Sequence, residues 1–193
     1  MSDNRCTPHL HAADEPEIVR APAVHYVSIR GSGAPGTDAF YRKKAAVAEV
    51  ARALHDDESD PVVELQYWYP AGSTPVEIAD FYSVNPIPSL QYRVLAMVPA
   101  DTTTDDLAAA RARVASPSKL DEMELFALPE QDVVQVMHHG PFAEEFGTLA
   151  RLGRFAEGLG LHRSGPHHEL HLDGFTRDTP QQSLRTILRD PVA

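Results

Sequence analysis

The chain has 193 residues, is 42% hydrophobic and carries a formal net charge of -11, with a single cysteine. That length suits one domain or two small joined modules, and no apolar run approaches the ~20 residues needed to span a bilayer. The acidic balance argues against a nucleic-acid or anionic-membrane surface and favours neutral or cationic ligands. Cys6, alone, excludes an internal disulfide framework and a Cys-based zinc site, which fits a cytoplasmic location.

Residues 1–22 read as a flexible leader, because Met1 to Glu17 is mostly polar and lacks the apolar core of a signal peptide. Val24 to Gly31 reads as a strand closed by the breaker cluster Gly31-Ser32-Gly33-Ala34-Pro35-Gly36. Thr37 or Asp38 caps a helix to about Leu54, with Phe40, Ala46, Val47, Val50 and Leu54 as its apolar stripe. Arg42, Lys43 and Lys44 on that helix read as a solvated face. After an acidic loop, 56–61, Val62 to Tyr69 is a strand rich in β-branched and aromatic residues. A loop from Pro70 to Pro88, with one helical turn around Val76 to Phe81, leads to the strand Gln91–Val98.

Thr104 to Ala115 is a capped helix, and Glu124–Leu128 a short edge strand. Asp132–His139 is a strand broken by Gly140-Pro141. Ala143–Gly158 is a helix with Phe146, Leu149, Leu152 and Phe155 on one face. His167–Asp173 and Leu184–Leu188 complete the set. Strand, turn, helix, strand, strand thus occurs twice, over about 23–100 and about 129–193, joined by 101–128. Two such modules joined about a pseudo-twofold axis give an α+β fold, antiparallel, with helices on one face and a central cleft.

Pro166-His167-His168-Glu169-Leu170-His171-Leu172-Asp173 carries the chemistry. On period 2, His167, Glu169, His171 and Asp173 share one face and His168, Leu170 and Leu172 the other. Glu169 is either solvent-facing, or paired with Arg30 or Arg177, or the polar centre of a pocket, since a carboxylate facing an apolar interior is costly unless paired or used. His167 and His171 lie about 13 Å apart along a strand and cannot share one ion, so neither a metal nor another cofactor is expected. Glu64, Gln66 and Trp68 share one face of their strand and suit a cleft wall or ordinary core. The glycine cluster lacks the Lys-Ser/Thr of a phosphate loop, and no nucleophile elbow is present.

The segments Tyr26–Gly31, Val63–Trp68, the strand before Pro99, Val134–Pro141, His167–Glu169 and Leu184–Val192 fall in an order and spacing that resemble the GyrI-like family, in its stand-alone branch without a DNA-binding domain. The resemblance covers nearly everything after residue 23. It implies two strand-helix-strand-strand modules and a central cleft that takes lipophilic, often cationic or polyaromatic, molecules, with Glu169 at its heart. Some stand-alone relatives hydrolyse the cyclopropane of DNA-alkylating cyclopropanoid natural products. Here Phe142 replaces the tyrosine of the usual Gly-Pro-Tyr turn, and His171 stands where a tyrosine is common.

Two functions follow from the resemblance. In a hydrolase, Glu169, its pKa raised by desolvation, is the general base, and Tyr26, Tyr67 or His138 is the donor to the developing phenolate. In a binding module that sequesters or senses drugs, Glu169 and Glu64 neutralise a lipophilic cation. Glu169 and Tyr67 are the catalytic candidates, and Tyr26, Glu64, Trp68, His138, His167 and His171 the ligand-binding ones. A third reading, an inhibitor acting through its acidic surface, has no segment that calls for it. The expected partner is a lipophilic or polyaromatic small molecule, bound by a monomer or homodimer.

Overall fold

The structure, a computed structural model, describes residues 8–55, 60–114 and 122–193. Cys6, most of the acidic loop and the end of the second expected helix lie outside them. Eight strands and three α-helices are formed among these residues: β1 (Glu17–Ala21), β2 (Val24–Ser32), α1 (Asp38–Leu54), β3 (Val63–Trp68), β4 (Gln91–Met97), α2 (Thr104–Arg113), β5 (Glu124–Leu128), β6 (Gln131–His139), α3 (Glu145–Gly158), β7 (His167–His171) and β8 (Arg185–Pro191).

Local chemistry sets the helices. Thr37 caps α1 by accepting the Phe40 amide at 3.3 Å. A capping box between Thr103 and Asp106 starts α2. A short 3-10 turn, Phe142–Glu144, leads into α3. The buried face of α3 is Glu145, Leu149, Leu152 and Ala156, spaced i, i+4, i+7, i+11, so the expected stripe is rotated by one residue at its start. Phe146 is 53% exposed. On α1 the stripe holds, but Lys43 and Lys44 are buried with it rather than solvated. Lys44 sits four residues after Phe40 and three before Val47, on the face those residues bury.

All eight strands join one antiparallel sheet in the order β1-β6-β8-β7-β3-β4-β2-β5. Outward from the β3–β7 seam, the order is β3-β4-β2-β5 on one side and β7-β8-β6-β1 on the other. The two halves are therefore equivalent, each a strand-helix-strand-strand module with one extra edge strand. The leader expected over 1–22 contributes to this symmetry, since residues 17–21 form the edge strand β1 on β6.

Helices α1 and α3 cover one face. Val27, Ile29, Leu65, Tyr67, Val94 and α1 make the larger apolar cluster, and Val134, Val136, Leu188 and α3 the smaller. The two β–β connections cross over. Residues 69–90, between β3 and β4, reach α3, where Ala79 packs on Gly153 so closely that a Cβ there would lie 2.6 Å from Ala79 Cβ. Residues 172–184, between β7 and β8, reach α1, where Arg177 pairs with Asp38 and Phe175 lies under Lys44. Each module thus places a loop beside the other's helix, next to the seam.

Candidate functional site

Strand register composes the site. Leu65 pairs with Glu169 across the seam, and Glu64 with Leu170. Paired residues share a face, so Glu169, with His167 and His171, lies on the helix-covered face beside Leu65 and Tyr67. Glu64 and His168 lie on the opposite face. The two carboxylates expected in one cleft are separated by the sheet.

On the helix face, Glu169 is 4% exposed. Its Oε1 accepts from the Tyr82 hydroxyl at 2.6 Å, and its Oε2 from His171 Nε2 at 3.1 Å. His167 Nε2 stands 3.6 Å from Oε1, an ion-pair distance beyond a hydrogen bond, while its Nδ1 is 2.9 Å from Asp190 Oδ2. Burial alone would raise the Glu169 pKa, but His167 and His171 outweigh it and hold the carboxyl below its ordinary range. The expected upward shift is thereby corrected: the group is an ionised carboxylate inside a nest of donors. His167, pulled down by burial, is carried up to about 10 by Asp190 and Glu169 and is an imidazolium at neutral pH.

The neighbours are less satisfied. Burial lowers the His171 pKa, so that imidazole is neutral. With Nε2–H donated to Glu169, its Nδ1 lone pair is buried without a partner. Glu145, at the start of α3, is buried, and desolvation followed by the charge of Glu169 raises its pKa far above the carboxylate range. Its Oε1 also lacks a partner. Burial holds Tyr67 and Tyr82 as neutral phenols. Beside this cluster a pocket of about 970 Å³ runs between α1 and the 172–184 connection, walled by Tyr41, Lys44, Ala48, Val63, His171 and Phe175. His171 is the member of the Glu169 cluster that lines it. Phe142 and Phe175 flank the His171 ring at 5.2 and 5.0 Å.

On the opposite face, fully buried Glu64 accepts from Tyr26 OH at 2.9 Å and from His9 Nε2 at 2.9 Å. His168 Nε2 is 2.8 Å from Oε2 but off the hydrogen-bonding direction. Burial opposes ionisation, yet His168 and His9 bring the Glu64 pKa down to about 2. Arg189 donates to His9 Nδ1 (3.2 Å), to the His9 carbonyl (2.8 Å) and to Gln135 (2.8 Å). That contact makes Nδ1 of His9 the acceptor and Nε2 the proton-bearing atom, directed at Glu64 rather than at a metal.

Of the expected site residues, Glu169, Tyr67, His167 and His171 come together, while Tyr26 and Glu64 belong to the other nest. Trp68 has the parity of Glu64 and donates to Gln91 at 2.6 Å. His138 shares the helix face, two strands from His171, with its nitrogens 2.9 Å from Thr148 Oγ1 and 3.1 Å from the Pro141 carbonyl. Arg30 and Arg177 pair with Glu124 and Asp38, not Glu169. Tyr82, Lys44, Glu145 and His9 were not legible as site residues. The heptad-like spacing of Lys44 and Glu145 on their helices was the available signal for two of them, and the unusual length of the 69–90 connection a signal for Tyr82.

The family model for the GyrI-like small molecule binding domain matches residues 14–192, and the chain belongs to that family. An uncharacterized conserved protein from Listeria innocua is similar in structure, with TM-score 0.75 at 22% identity over 94% of this chain and 93% of that one. A hydrolase from Listeria innocua gives 0.74 at 22% identity over 95% and 94%. SAV2435 bound to tetraphenylphosphonium gives 0.51 at 14% identity over 93% and 94%. At these identities the likeness concerns the fold. No curated protein sequence matches the chain. Among the described residues no helix is long and apolar enough to cross a membrane.

Proposed function

We propose that this member of the GyrI-like family hydrolyses the strained cyclopropane of a flat, DNA-alkylating cyclopropanoid, and so detoxifies it, in the pocket beside Glu169. The observation that carries the reading is the unpartnered Nδ1 of His171. An unsatisfied buried acceptor costs about 1–3 kcal/mol, and such costs are retained where a ligand or a proton supplies the missing partner. His171 lines the pocket, is neutral, and has its tautomer set by Glu169. In this reading it takes a proton from water, and Glu169 orients it and stabilises the imidazolium. Glu169 therefore moves from proton acceptor to the positioning residue behind the acceptor. Tyr67 supplies a neutral phenol next to the carboxylate, Phe175 and Tyr41 supply walls for a planar substrate, and Phe142 backs the His171 ring.

Sequestration of a lipophilic cation is the competing reading, and a structural neighbour is bound to tetraphenylphosphonium. It is less well supported here, because Glu169 already has Tyr82, His171 and the protonated His167 around it. The deciding experiment incubates the protein with a cyclopropanoid alkylator and follows the small molecule by mass spectrometry. The expected result is gain of one water, abolished in His171→Asn and Glu169→Gln. An alkylator left intact by the unmodified protein would contradict the hydrolase.

A further inference from the structure

Lys43 and Lys44 are adjacent and both buried, yet their amines differ. Lys43 Nζ donates to the Arg30 carbonyl at 2.7 Å and stands 3.4 Å from Glu122. Lys44, 7% exposed, has neither a hydrogen bond nor an ion pair among the described residues; its Nζ lies 3.2 Å over the Phe175 ring. A cation–π contact satisfies an ammonium only on the side facing the ring and leaves its other protons without acceptors. Those protons belong to a residue on the pocket wall, where Lys44 stands with His171.

We infer that Lys44 is the specificity-determining group of this pocket: its amine receives an oxygen of the ligand, so the site takes neutral aromatic ketones and phenolates and turns away lipophilic cations. The inference rests on the pocket being the ligand site, and it names the ligand class. Two observations point to oxygen rather than to a second cation. The pocket wall presents a donor, the amine, that has no protein acceptor among the described residues. Arg42, Arg52 and Arg177 stand there with it against Asp38, Asp60, Asp173 and Asp178, so the wall offers a cation no net negative charge. Burial brings the Lys44 pKa down to about 7, with Glu169 opposing the fall, so near neutrality the amine can both donate a hydrogen bond and give up a proton.

In the hydrolytic reading the atoms balance with water as the co-reactant. The water oxygen bonds to a cyclopropane carbon as the strained C–C bond breaks. The bond pair moves through the conjugated ring to the carbonyl oxygen, which takes a proton from Lys44. The proton lost by water goes to His171, and exchange through solvent returns the amine and imidazole to their starting states.

The test measures the affinities of two aromatic probes, a hydroxycoumarin phenolate and tetraphenylphosphonium, for the unmodified protein, Lys44→Met and Lys44→Arg. Loss of a charge-assisted hydrogen bond should weaken phenolate binding about ten- to hundred-fold in Lys44→Met. Phosphonium binding should tighten about ten-fold in the same variant, while Lys44→Arg keeps the phenolate and excludes the phosphonium. Equal affinities in all three proteins, no binding of either probe, or a phosphonium preference that Lys44→Met leaves unchanged would each overturn the inference. Alkylator turnover is read separately, so a failed hydrolase and a failed role for Lys44 give different results.

Discussion

Glu64 and Glu169 sit on neighbouring strands, both buried, both ionised, on opposite faces of one sheet. Around Glu64 the chain supplies hydrogen bonds from Tyr26 and His9, with His168 at ion-pair distance though its Nε2 lacks a hydrogen bond. Arg189, itself held by Gln135, ties His9 down from behind, and none of these groups lines the pocket. Around Glu169 the carboxylate is satisfied but its neighbours are not: His171 Nδ1 and Glu145 Oε1 lack partners, the Lys44 amine has only a ring face, and a pocket lies alongside. A buried charge with its donors in place is architecture. One ringed by unmet donors and acceptors at a pocket is where a ligand completes the structure.

The comparison breaks most sharply under substitution. Glu64→Leu strands His9 and Tyr26 without their acceptor, removes the carboxylate beside His168, and should cost about 3–5 kcal/mol of stability, read as a fall in thermal midpoint. Glu169→Gln retains an acceptor for Tyr82 and leaves His167 on Asp190, so it should cost only about 1–3 kcal/mol while removing turnover. If the two stability losses were reversed in size, the contrast between the nests would be wrong.

Gly153→Ala tests how the pocket side is assembled. The new Cβ would meet the Ala79 backbone nitrogen at 2.7 Å and displace the segment that carries Tyr82 to Glu169. The expected loss is about 1–3 kcal/mol in denaturant midpoint, accompanied by weaker ligand binding.

Stability against pH separates the nests further. Glu64 is lowered from 4.5 to about 2, so its contribution is present above 4.5 and is lost as pH falls toward 2. His167 is raised from 6.5 to about 10, so its contribution is present below 6.5 and is lost as pH rises through 10. A urea series should show both limbs, with Glu64→Leu shrinking the acid one, which Glu169 shares, and sparing the alkaline one. Trp68→Phe should have the smallest effect, a lost hydrogen bond to Gln91 worth about 1 kcal/mol and no change in ligand affinity, because Trp68 faces away from the pocket.

The fold was legible because its signals are local. Period-2 runs marked seven of the eight strands, and the repeat of strand, turn, helix, strand, strand marked the modules. β1 escaped because an edge strand needs only one partner and can be short, as the five-residue Glu17–Ala21 is, and it follows a polar stretch. The faces within β3 and β7 were also legible, including the grouping of His167, Glu169 and His171. What one strand's alternation cannot give is its register against the next. Pairing Leu65 with Glu169 put Glu64 on the other side of the sheet, and Tyr82 reached Glu169 through a connection docked on the other module's helix. The direction of the Glu169 pKa likewise depended on how His167 and His171 are turned toward it, which alternation alone does not give.

The central claim is that ligand chemistry belongs to the Glu169 face and not to the Glu64 face. The most direct measurement is single-turnover mass spectrometry of a cyclopropanoid with the unmodified protein, Glu64→Gln and Glu169→Gln, at a temperature where circular dichroism shows each folded. The account predicts addition of water by the unmodified protein and Glu64→Gln and none by Glu169→Gln. Retained hydrolysis in Glu169→Gln together with its loss in Glu64→Gln would contradict it.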